Sequence, residues 1–369
     1  MKKIKFVDLA LENKLILKKI QRFLKTNIEK SNFILGRDID IFEKNFAKLN
    51  KSKYCVTTSS GTSALILSLK SLNLSKGSEV LTVSNSYLST VSSIISANLK
   101  PVLVDIDQNL NMSIEDLKKK ITKKTKVILP VHLCGRSANI IEISKLAKRK
   151  NLHIIEDCAQ AVLTKFRNKN VGNFGKTGCF SFHPLKNLGG IGDGGAIVTN
   201  SKKTYQWLKM ARNNGHPNRD ECNFWSSNYR MDTFKAMVLN EKIKDVKKNV
   251  NKRIANAEFY YKRLKKIDNI NLPELNDKDY FSTFYQFIVL ANKRNQLIKF
   301  LKTKGIETKI HYPKPIHLQR IGLNYFKNEK LKKTEFFSKK IISLPIHQNL
   351  TKKDLSYISD QILLFYKKN

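Results

Sequence analysis

The stretch that decides the fold is Cys179–Ala196, CFSFHPLKNLGGIGDGGA. A single lysine, Lys186, lies there between an apolar, strand-like run and a turn rich in glycine. The end of a strand fixes the position of an amine, and glycines let the backbone approach a bound group closely. This is the setting expected for a lysine that forms a Schiff base. In a chain so rich in lysine, the interpretation needs support from other segments.

Three upstream segments supply that support, in a consistent order along the chain. Thr57–Leu65 runs from a predicted strand into a helix, where free amides and hydroxyls can bind an anion, although an ordinary helix cap has the same pattern. Tyr87 follows a strand and could offer an aromatic surface at the carboxyl edge of the sheet, or be a plain surface or core tyrosine. Asp157 ends an apolar strand, where a carboxylate can pair with a cationic ring nitrogen, although such an aspartate is also a common helix cap.

Strands alternate with helices between about residues 50 and 240, which predicts a mainly parallel sheet covered on both faces. Helices are predicted at Ser63–Leu72 and Ile141–Lys150, and a long charged helix at Lys235–Lys266. A smaller α+β part follows, with strands at Phe284–Leu290 and Glu307–Ile310. We predict an α/β fold with a large domain over residues 1–240, including the N-terminal helical segment, and a small domain over residues 241–369. The strands expected in the large domain are Tyr54–Thr57, Glu79–Val83, Pro101–Val104, Lys126–Val131, His153–Glu156, Cys179–Phe182 and Gly195–Thr199.

The composition is that of a globular protein with a large excess of positive charge. The 369 residues include 69 Lys and Arg against 30 Asp and Glu, a formal net charge of +39. The lysines are spread along the whole chain, and arginine does not cluster with aromatic residues as specific nucleic-acid sites require. We therefore expect no nucleic-acid partner, although the basic surface could attract an anionic, phosphorylated substrate.

Other classes of protein and site are also disfavoured. No run approaches the roughly 18 apolar residues of a membrane span, and Asp8 and Glu12 interrupt the first segment, so we expect no signal peptide and no membrane partner. The five cysteines are odd in number, widely spaced and without a CxxC pair. We therefore expect no metal site and a reduced, cytoplasmic location.

Further motifs stand along the chain in a fixed order: FVDL (6–9), LGR (35–37) leading to FE (42–43), SGTSAL (60–65), PVHLCG (130–135), EDCAQA (156–161), the lysine segment, NYRMD (228–232), HYPKPIHL (311–318) and SLPIH (343–347). With these motifs the chain resembles the sugar aminotransferases of the DegT/DnrJ/EryC1/StrS family almost from end to end. That family has the aspartate aminotransferase fold, which is fold type I of the enzymes that use pyridoxal 5'-phosphate (PLP). The resemblance implies this fold, and PLP and its amino form PMP as cofactor.

The resemblance also implies roles for single residues. Lys186 would hold PLP covalently and move a proton between substrate and cofactor carbons, while Asp157 would keep the pyridinium protonated. Tyr87 would stack on one face of the ring, and Gln160 would lie near the other face or the ring oxygen. The phosphate would be bound by Gly61, Thr62, Ser63 and Ser181, together with Asn228 of the partner subunit. The sugar pocket would be lined by His183, Tyr229, His311 and Tyr312, although for the last two the packing of a proline-rich turn explains the sequence equally well.

The implied partners are a second copy of the chain, in a homodimer with shared active sites, and two small molecules. L-Glutamate would donate an amino group to a nucleotide-linked keto-sugar, for lipopolysaccharide, other surface glycans or related amino sugars. The turn Asn187–Gly195 resembles members that aminate C3, which favours a 3-keto-deoxyhexose over amination at C4 of a 4-keto sugar.

Some alternatives stay open on the sequence. The segment His183–Leu185 departs from the pattern of many C3 enzymes and is similar to relatives that aminate 3-keto sugar phosphates. A cyclitol or an aromatic amino-acid precursor is another possible substrate. Family members that catalyse dehydration have histidine in place of the lysine, so Lys186 argues against that reaction.

Overall fold

The structure is a computed structural model, and it describes residues 3–14 and 16–368. Its centre is a sheet of seven strands, each of them predicted from the sequence to within three residues at either end. These strands are β1 (Tyr54–Thr58), β2 (Glu79–Val83), β3 (Lys100–Val104), β4 (Thr125–Ile128), β5 (His153–Asp157), β8 (Thr177–Ser181) and β9 (Gly195–Thr199). Their order is β1-β9-β8-β5-β4-β2-β3, and only β9 runs antiparallel to its neighbours. The expected mainly parallel sheet is confirmed.

Both faces of this sheet are buried, which explains why its strands read as continuous apolar runs. Successive residues of a strand point to opposite faces, and in β8 Cys179 packs in one core while Phe180 packs in another. The covering helices are α3 (Arg37–Asn50), α4 (Gly61–Lys70), α5 (Ser89–Ser96), α6 (Ile114–Lys120), α7 (Ile140–Lys150), α8 (Lys202–Ala211) and α9 (Thr233–Lys242). Two short N-terminal helices precede them, α1 (Leu9–Lys14) and α2 (Leu17–Glu29).

The C-terminal part of the chain forms a second, smaller layer. Its sheet is antiparallel, in the order β10 (Ile270–Asn271), β12 (Phe287–Ala291) and β13 (Ile341–Leu344). A separate ribbon pairs β11 (Tyr280–Phe281) with β6 (Lys165–Phe166), which pairs in turn with β7 (Lys169–Asn170). The remaining helices are α10 (Val246–Leu264), α11 (Arg294–Thr303), α12 (Arg320–Tyr325), α13 (Lys332–Ser338) and α14 (Lys352–Lys368).

Two expectations about this part of the chain are wrong. The helix expected over Lys235–Lys266 is broken, because α9 ends at Lys242 and α10 begins at Val246. The segment contains neither glycine nor proline, so packing rather than local sequence ends α9. The strand expected at Glu307–Ile310 is reduced to an isolated bridge between Lys309 and Ser343, and Ile306, just before the segment, makes another with Ile4.

The predicted boundary between domains at residue 240 stays a prediction, since α10 belongs to both layers. Val246 and Val250 pack in a core beneath the central sheet, whereas Ala257, Tyr260 and Leu264 pack in the core of the C-terminal layer. Among the described residues, no helix combines the length and the apolar character that crossing a bilayer requires.

Candidate active site

The candidate site is a cavity of about 510 Å³ at the carboxyl edge of the central sheet. It lies where β2, β5 and β8 end, the expected position for a ligand in an open α/β sheet. The C-terminal part of the chain closes one side with Tyr285, His311 and Tyr312. The residues singled out from the sequence that line this cavity are Gly61, Thr62, Tyr87, Asp157, Gln160, Ser181, His183, Lys186, His311 and Tyr312.

One wall of the cavity is the N-terminus of α4. Ser60 caps this helix, and its hydroxyl accepts the Ser63 amide at 3.1 Å. The amides of Gly61 and Thr62 have no hydrogen-bond partner among the described residues, and both residues line the cavity. The Thr62 hydroxyl donates to Ser89 Oγ at 2.8 Å, which leaves the proton of Ser89 for a ligand. Free amides at the positive end of a helix dipole, with hydroxyls beside them, suit a phosphate.

The close approach of α4 to β8 shapes this wall and requires a glycine. A Cβ atom added to Gly61 would lie 2.8 Å from Ser181 Cβ, well inside the normal contact distance of carbon atoms. Ser181 also lines the cavity, so the first turn of α4 and the end of β8 enclose one anion-sized corner.

Asp157 lies at the end of β5 with a side chain that is only 4% exposed. Its Oδ1 accepts the Ala159 amide at 3.1 Å, and its Oδ2 accepts the Thr90 hydroxyl at 2.9 Å. Burial raises the pKa of the Asp157 carboxyl, and the two hydrogen bonds, Lys186 and His132 all act against that rise. The structure thus presents to the cavity a buried carboxyl group with donors on its protein side.

Lys186 is half-buried, and its ammonium lies 4.5 Å from the centroid of the Tyr285 ring. Such a contact between a cation and an aromatic face restricts the long lysine side chain. The backbone turns tightly here, because the Lys186 amide donates to the His183 carbonyl at 2.9 Å. Lys186 and Asp157 both open onto the cavity.

The orientation of the Gln160 side chain is fixed by two partners. Its Oε1 accepts the Cys134 amide at 2.7 Å, so its Nε2 donates to the Tyr312 hydroxyl at 3.2 Å. Burial raises the pKa of Tyr312, which therefore keeps its proton at neutral pH. Gln160 links the large sheet to the tyrosine that covers the cavity.

The two histidines of the site are neutral at neutral pH. Burial, with help from Lys186 and Lys309, lowers the pKa of His311 to about 4, and its Nδ1 pairs with Ser343 Oγ at 2.9 Å. Burial and Lys186 also lower the pKa of His183, although Asp193 acts in the opposite direction. Both rings can therefore hydrogen-bond a hydroxyl group of a ligand without carrying a charge.

Three of the residues singled out from the sequence do not line the cavity. Ser63 points beneath the start of α4, where its hydroxyl pairs with those of Ser59 and Ser60 at 2.8 and 2.9 Å. Asn228 is exposed, and its Oδ1 accepts two N–H groups of Arg230. Tyr229 packs against a core of the large sheet. The predicted role of Asn228 concerns a partner subunit and stays a prediction.

Of the cavity-lining residues that sequence reasoning missed, six have polar side chains. Four of them are hydroxyl residues inside or next to segments that the sequence had already marked, and Asp193 belongs to the glycine-rich turn. Tyr285 carries no local signal, because only the fold brings it over Lys186. The six are Ser60, Ser86, Ser89, Thr90, Asp193 and Tyr285.

A second polar cluster lies behind the site. His132, Glu156 and Cys158 have side-chain atoms within 4.8 Å of one another, a spacing that could suit a metal. Glu156 instead accepts the amides of Gly172, Phe174 and Gly175, each at 2.7 Å, and pairs with His132 Nε2 at 3.0 Å. Because the carboxylate and the ring have protein partners, the cluster braces the loop between β7 and β8.

The residues present fit PLP. The corner at Gly61, with free amides and hydroxyls, suits its phosphate; the buried Asp157 suits its ring nitrogen; and Lys186 supplies the amine. A mainly parallel sheet with an antiparallel C-terminal layer, joined around such a cavity, defines a PLP-dependent enzyme of fold type I.

Comparison with known proteins places the chain within that class. A model of the DegT/DnrJ/EryC1/StrS aminotransferase family matches residues 14–363, and the chain belongs to this family of PLP-dependent sugar transaminases. Structural neighbours have been solved with PMP or PLP bound. The resemblance noted in the sequence is therefore confirmed, and so are its fold and cofactor.

Individual relatives agree with this assignment. The chain is 34% identical over 360 residues to the dTDP-3-amino-3,6-dideoxy-alpha-D-galactopyranose transaminase of Aneurinibacillus thermoaerophilus, covering 97% of this chain and 98% of the relative. It is 32% identical over 368 residues to a "pleiotropic regulatory protein" of Geobacillus stearothermophilus, covering 99% of both. The crystal structure of S. venezuelae DesV in complex with a ketimine intermediate superposes with a TM-score of 0.95, at 29% identity, covering 100% of this chain and 99% of that one.

Proposed function

We propose that the protein transfers the amino group of L-glutamate to a nucleotide-linked 3-keto-deoxyhexose, for surface glycans or related amino sugars. The observation that carries the proposal is the shared cavity of Lys186, Asp157 and the free N-terminus of α4. Amination at C4 of a 4-keto sugar, or of a 3-keto sugar phosphate, remains the alternative. Relatives of similar identity carry names for different sugars, among them a GDP-perosamine synthase, so the acceptor must be measured.

Bound PLP supplies an electron sink for the carbanion that forms when the amino carbon loses its proton. Around it, the amides of Gly61 and Thr62 and the hydroxyls of Ser89 and Ser181 would hold the phosphate dianion. Tyr87 is 62% exposed and lies with its ring centroid 6.1 Å from that of Tyr312. In this arrangement Tyr87 would cover one face of the flat cofactor ring.

Lys186 would transfer the proton. Its Nζ would take the proton from the substrate carbon and return it to the cofactor carbon, as a general base and then a general acid. The Tyr285 ring, 4.5 Å away, limits where the amine can swing. Asp157 would meanwhile keep its negative charge against the ring nitrogen, which holds the ring in its electron-accepting form.

The sugar would be held mainly by neutral hydrogen-bonding groups. His183, His311 and Tyr312 line the cavity, and the lowered pKa values of the two histidines and the raised pKa of the tyrosine keep all three uncharged at neutral pH. Asp193 lies in the turn on which the preference for C3 rests, and it lines the same cavity. A carboxylate there could accept a hydrogen bond from a sugar hydroxyl.

We also propose that the working unit is a homodimer. Asn228 lies outside the cavity of its own chain and is exposed, so it is free to reach a partner's phosphate site. Apolar side chains that a monomer would leave in water occur on and after α2: Leu24 is 48% exposed, Ile28 60% and Ile34 54%. Burying them against a second copy would remove this apolar surface from water.

The test is the visible spectrum of the purified protein with PLP, recorded before and after addition of L-glutamate. We expect glutamate to convert the bound PLP to PMP. In the second step, 3-keto nucleotide sugars, 4-keto nucleotide sugars and 3-keto sugar phosphates are compared as acceptors of the amine. Lys186→Ala should bind PLP without catalysing either half-reaction. A spectrum that ignores glutamate would refute glutamate as donor, and turnover by Lys186→Ala would refute the assignment of the lysine.

A further inference from the structure

Asp157 depends on a hydroxyl group that no sequence motif marked. Thr90, in the first turn of α5, donates its Oγ1 proton to Asp157 Oδ2 at 2.9 Å. Thr90 is 1% exposed and Asp157 is 4% exposed, so water does not compete for this hydrogen bond. A charge-assisted hydrogen bond in such a place is among the stronger ones in proteins.

A second hydroxyl gives this hydrogen bond a direction. Ser86 Oγ lies 2.7 Å from Thr90 Oγ1, and Ser86 is 4% exposed. Thr90 has one proton, which points to the carboxylate, so Ser86 must donate to Thr90. Ser86 and Thr90 thus donate in sequence towards the Asp157 carboxylate, which accepts, and all three residues line the cavity. Ser86 directly precedes Tyr87. These two hydrogen bonds therefore connect Asp157 to the segment that carries Tyr87.

We propose that Thr90, aligned by Ser86, is a positioning residue that holds the Asp157 carboxylate in place and keeps the shared proton on the cofactor nitrogen. The proposal rests on the role proposed above for Asp157. A donor to the carboxylate lowers its proton affinity, so the proton between Asp157 and the ring nitrogen stays on the ring. Without the donor, the carboxylate becomes the stronger base and the proton moves towards it, which weakens the ring as an electron acceptor.

The electrostatic surroundings of Asp157 set the scale of this effect. Burial raises the pKa of Asp157, and the Ala159 amide and the Thr90 hydroxyl are the two largest influences that oppose it. The titratable groups around the carboxyl are Lys186, His132, Glu156, Cys158, Cys179 and Tyr312. Among the described residues, the Thr90 hydroxyl supplies one of the two hydrogen bonds that the carboxylate accepts. Its loss should therefore change the ratio of protonated ring nitrogen to protonated Asp157 by about tenfold or more.

The experiment compares Thr90→Val, which removes the hydroxyl at nearly constant shape, with Thr90→Ser, which keeps it. Ring-¹⁵N-labelled PLP bound to each protein reports protonation of the ring nitrogen directly by NMR. We expect wild type and Thr90→Ser to show a protonated nitrogen and Thr90→Val to shift towards the unprotonated value. Ser86→Ala should shift in the same direction by less. A wild-type nitrogen signal in Thr90→Val would overturn the proposal.

A second measurement uses the protein before PLP is added. The folded pKa of Asp157 is raised, so its contribution to stability falls as pH rises from its ordinary pKa through its folded value. Removing a donor raises the folded pKa further, so the melting temperature of Thr90→Val should fall increasingly below wild type as the pH rises above the folded pKa of the wild-type carboxyl. Thr82→Val is the matched control, because Thr82 is buried and its hydroxyl donates to the Leu129 carbonyl at 2.9 Å rather than to the Asp157 carboxylate. The difference in melting temperature between Thr82→Val and wild type should not change with pH.

The two measurements separate failure of this inference from failure of the proposed function. If PLP does not bind the wild-type protein, the proposed function fails, whatever the melting curves show. If PLP binds and glutamate is consumed, but Thr90→Val and Thr82→Val behave alike in the melting curves and the nitrogen signal is unmoved, the inference about Thr90 alone is wrong.

Discussion

Replacing Gly61 with alanine tests the phosphate corner most directly. The new Cβ would lie 2.8 Å from Ser181 Cβ and 3.3 Å from Ser181 Oγ. Carbon atoms prefer about 3.5–4.0 Å, so α4 and the end of β8 must separate by roughly 1 Å. Overpacking of this kind costs about 1–3 kcal/mol, and the better helix propensity of alanine offsets up to about 1 kcal/mol. We expect Gly61→Ala to lose about 1–2 kcal/mol of stability.

The same movement should weaken binding of the cofactor. The amides of Gly61 and Thr62 belong to the turn that must shift, and Ser181 lies on the other side. Losing one charge-assisted hydrogen bond to the phosphate costs about 1.5 kcal/mol, or about tenfold in the dissociation constant of PLP. Titration with PLP followed by absorbance measures this constant, and urea unfolding of the PLP-free protein measures the stability.

A double mutant distinguishes the clash from other effects of the alanine. Ser181→Gly removes the Cβ atom that the new methyl group would meet, so Gly61→Ala combined with Ser181→Gly should recover most of the stability that Gly61→Ala loses. PLP affinity should recover less, because the Ser181 hydroxyl is gone. A Gly61→Ala protein with wild-type stability and wild-type PLP affinity would refute the reasoning.

Three further changes test other parts of the structure. Arg212→Met removes the buried partner of Glu43 and should lower the stability measured by urea unfolding by about 3 kcal/mol or more. Adding Glu43→Gln should restore part of this loss. Equal stability of the single and double mutants would contradict this reasoning. His311 is neutral in the folded protein, so the free energy of unfolding of wild type should fall by up to about 3 kcal/mol as pH falls from 6.5 towards 4. Thermal unfolding at each pH should show a smaller loss for His311→Gln over that interval. Asn228→Ala should weaken PLP binding although it lies outside its own cavity, and unchanged affinity in a confirmed dimer would exclude its proposed role in the partner's site.

Much of the fold was legible in the sequence because burial leaves a strong pattern. A strand such as β9, Gly195–Thr199, is covered on both faces and reads as a short apolar run between turns. The end of α9 was not legible, since no glycine or proline marks it and the change of direction follows from packing against two cores. The pairing of the strand expected at Glu307–Ile310 with the segment at Ser343 is limited to a single bridge, which the local sequence does not reveal.

The site was predictable where a residue type is rare or its neighbours are distinctive. Lys186 beside glycines and Asp157 at a strand end stand out, and both line the cavity. Hydroxyl residues do not stand out in this way, so Ser63 was expected in the lining where the structure has Ser60 and Ser89. Tyr285 comes from a segment about 100 residues beyond Lys186, and only the tertiary fold brings it over the amine.

Helix α10 has a consequence for how the two layers can move. Its 19 residues span about 28 Å at 1.5 Å per residue, and its first turns are anchored in one core and its last turns in the other. If the C-terminal part closes over the cavity, it must therefore rotate about α10 or bend this helix. Each core takes some of its residues from α10. A fragment that ends at residue 240 would therefore lack Val246 and Val250, which belong to the core beneath the central sheet. The two halves of the enzyme should melt as one cooperative unit.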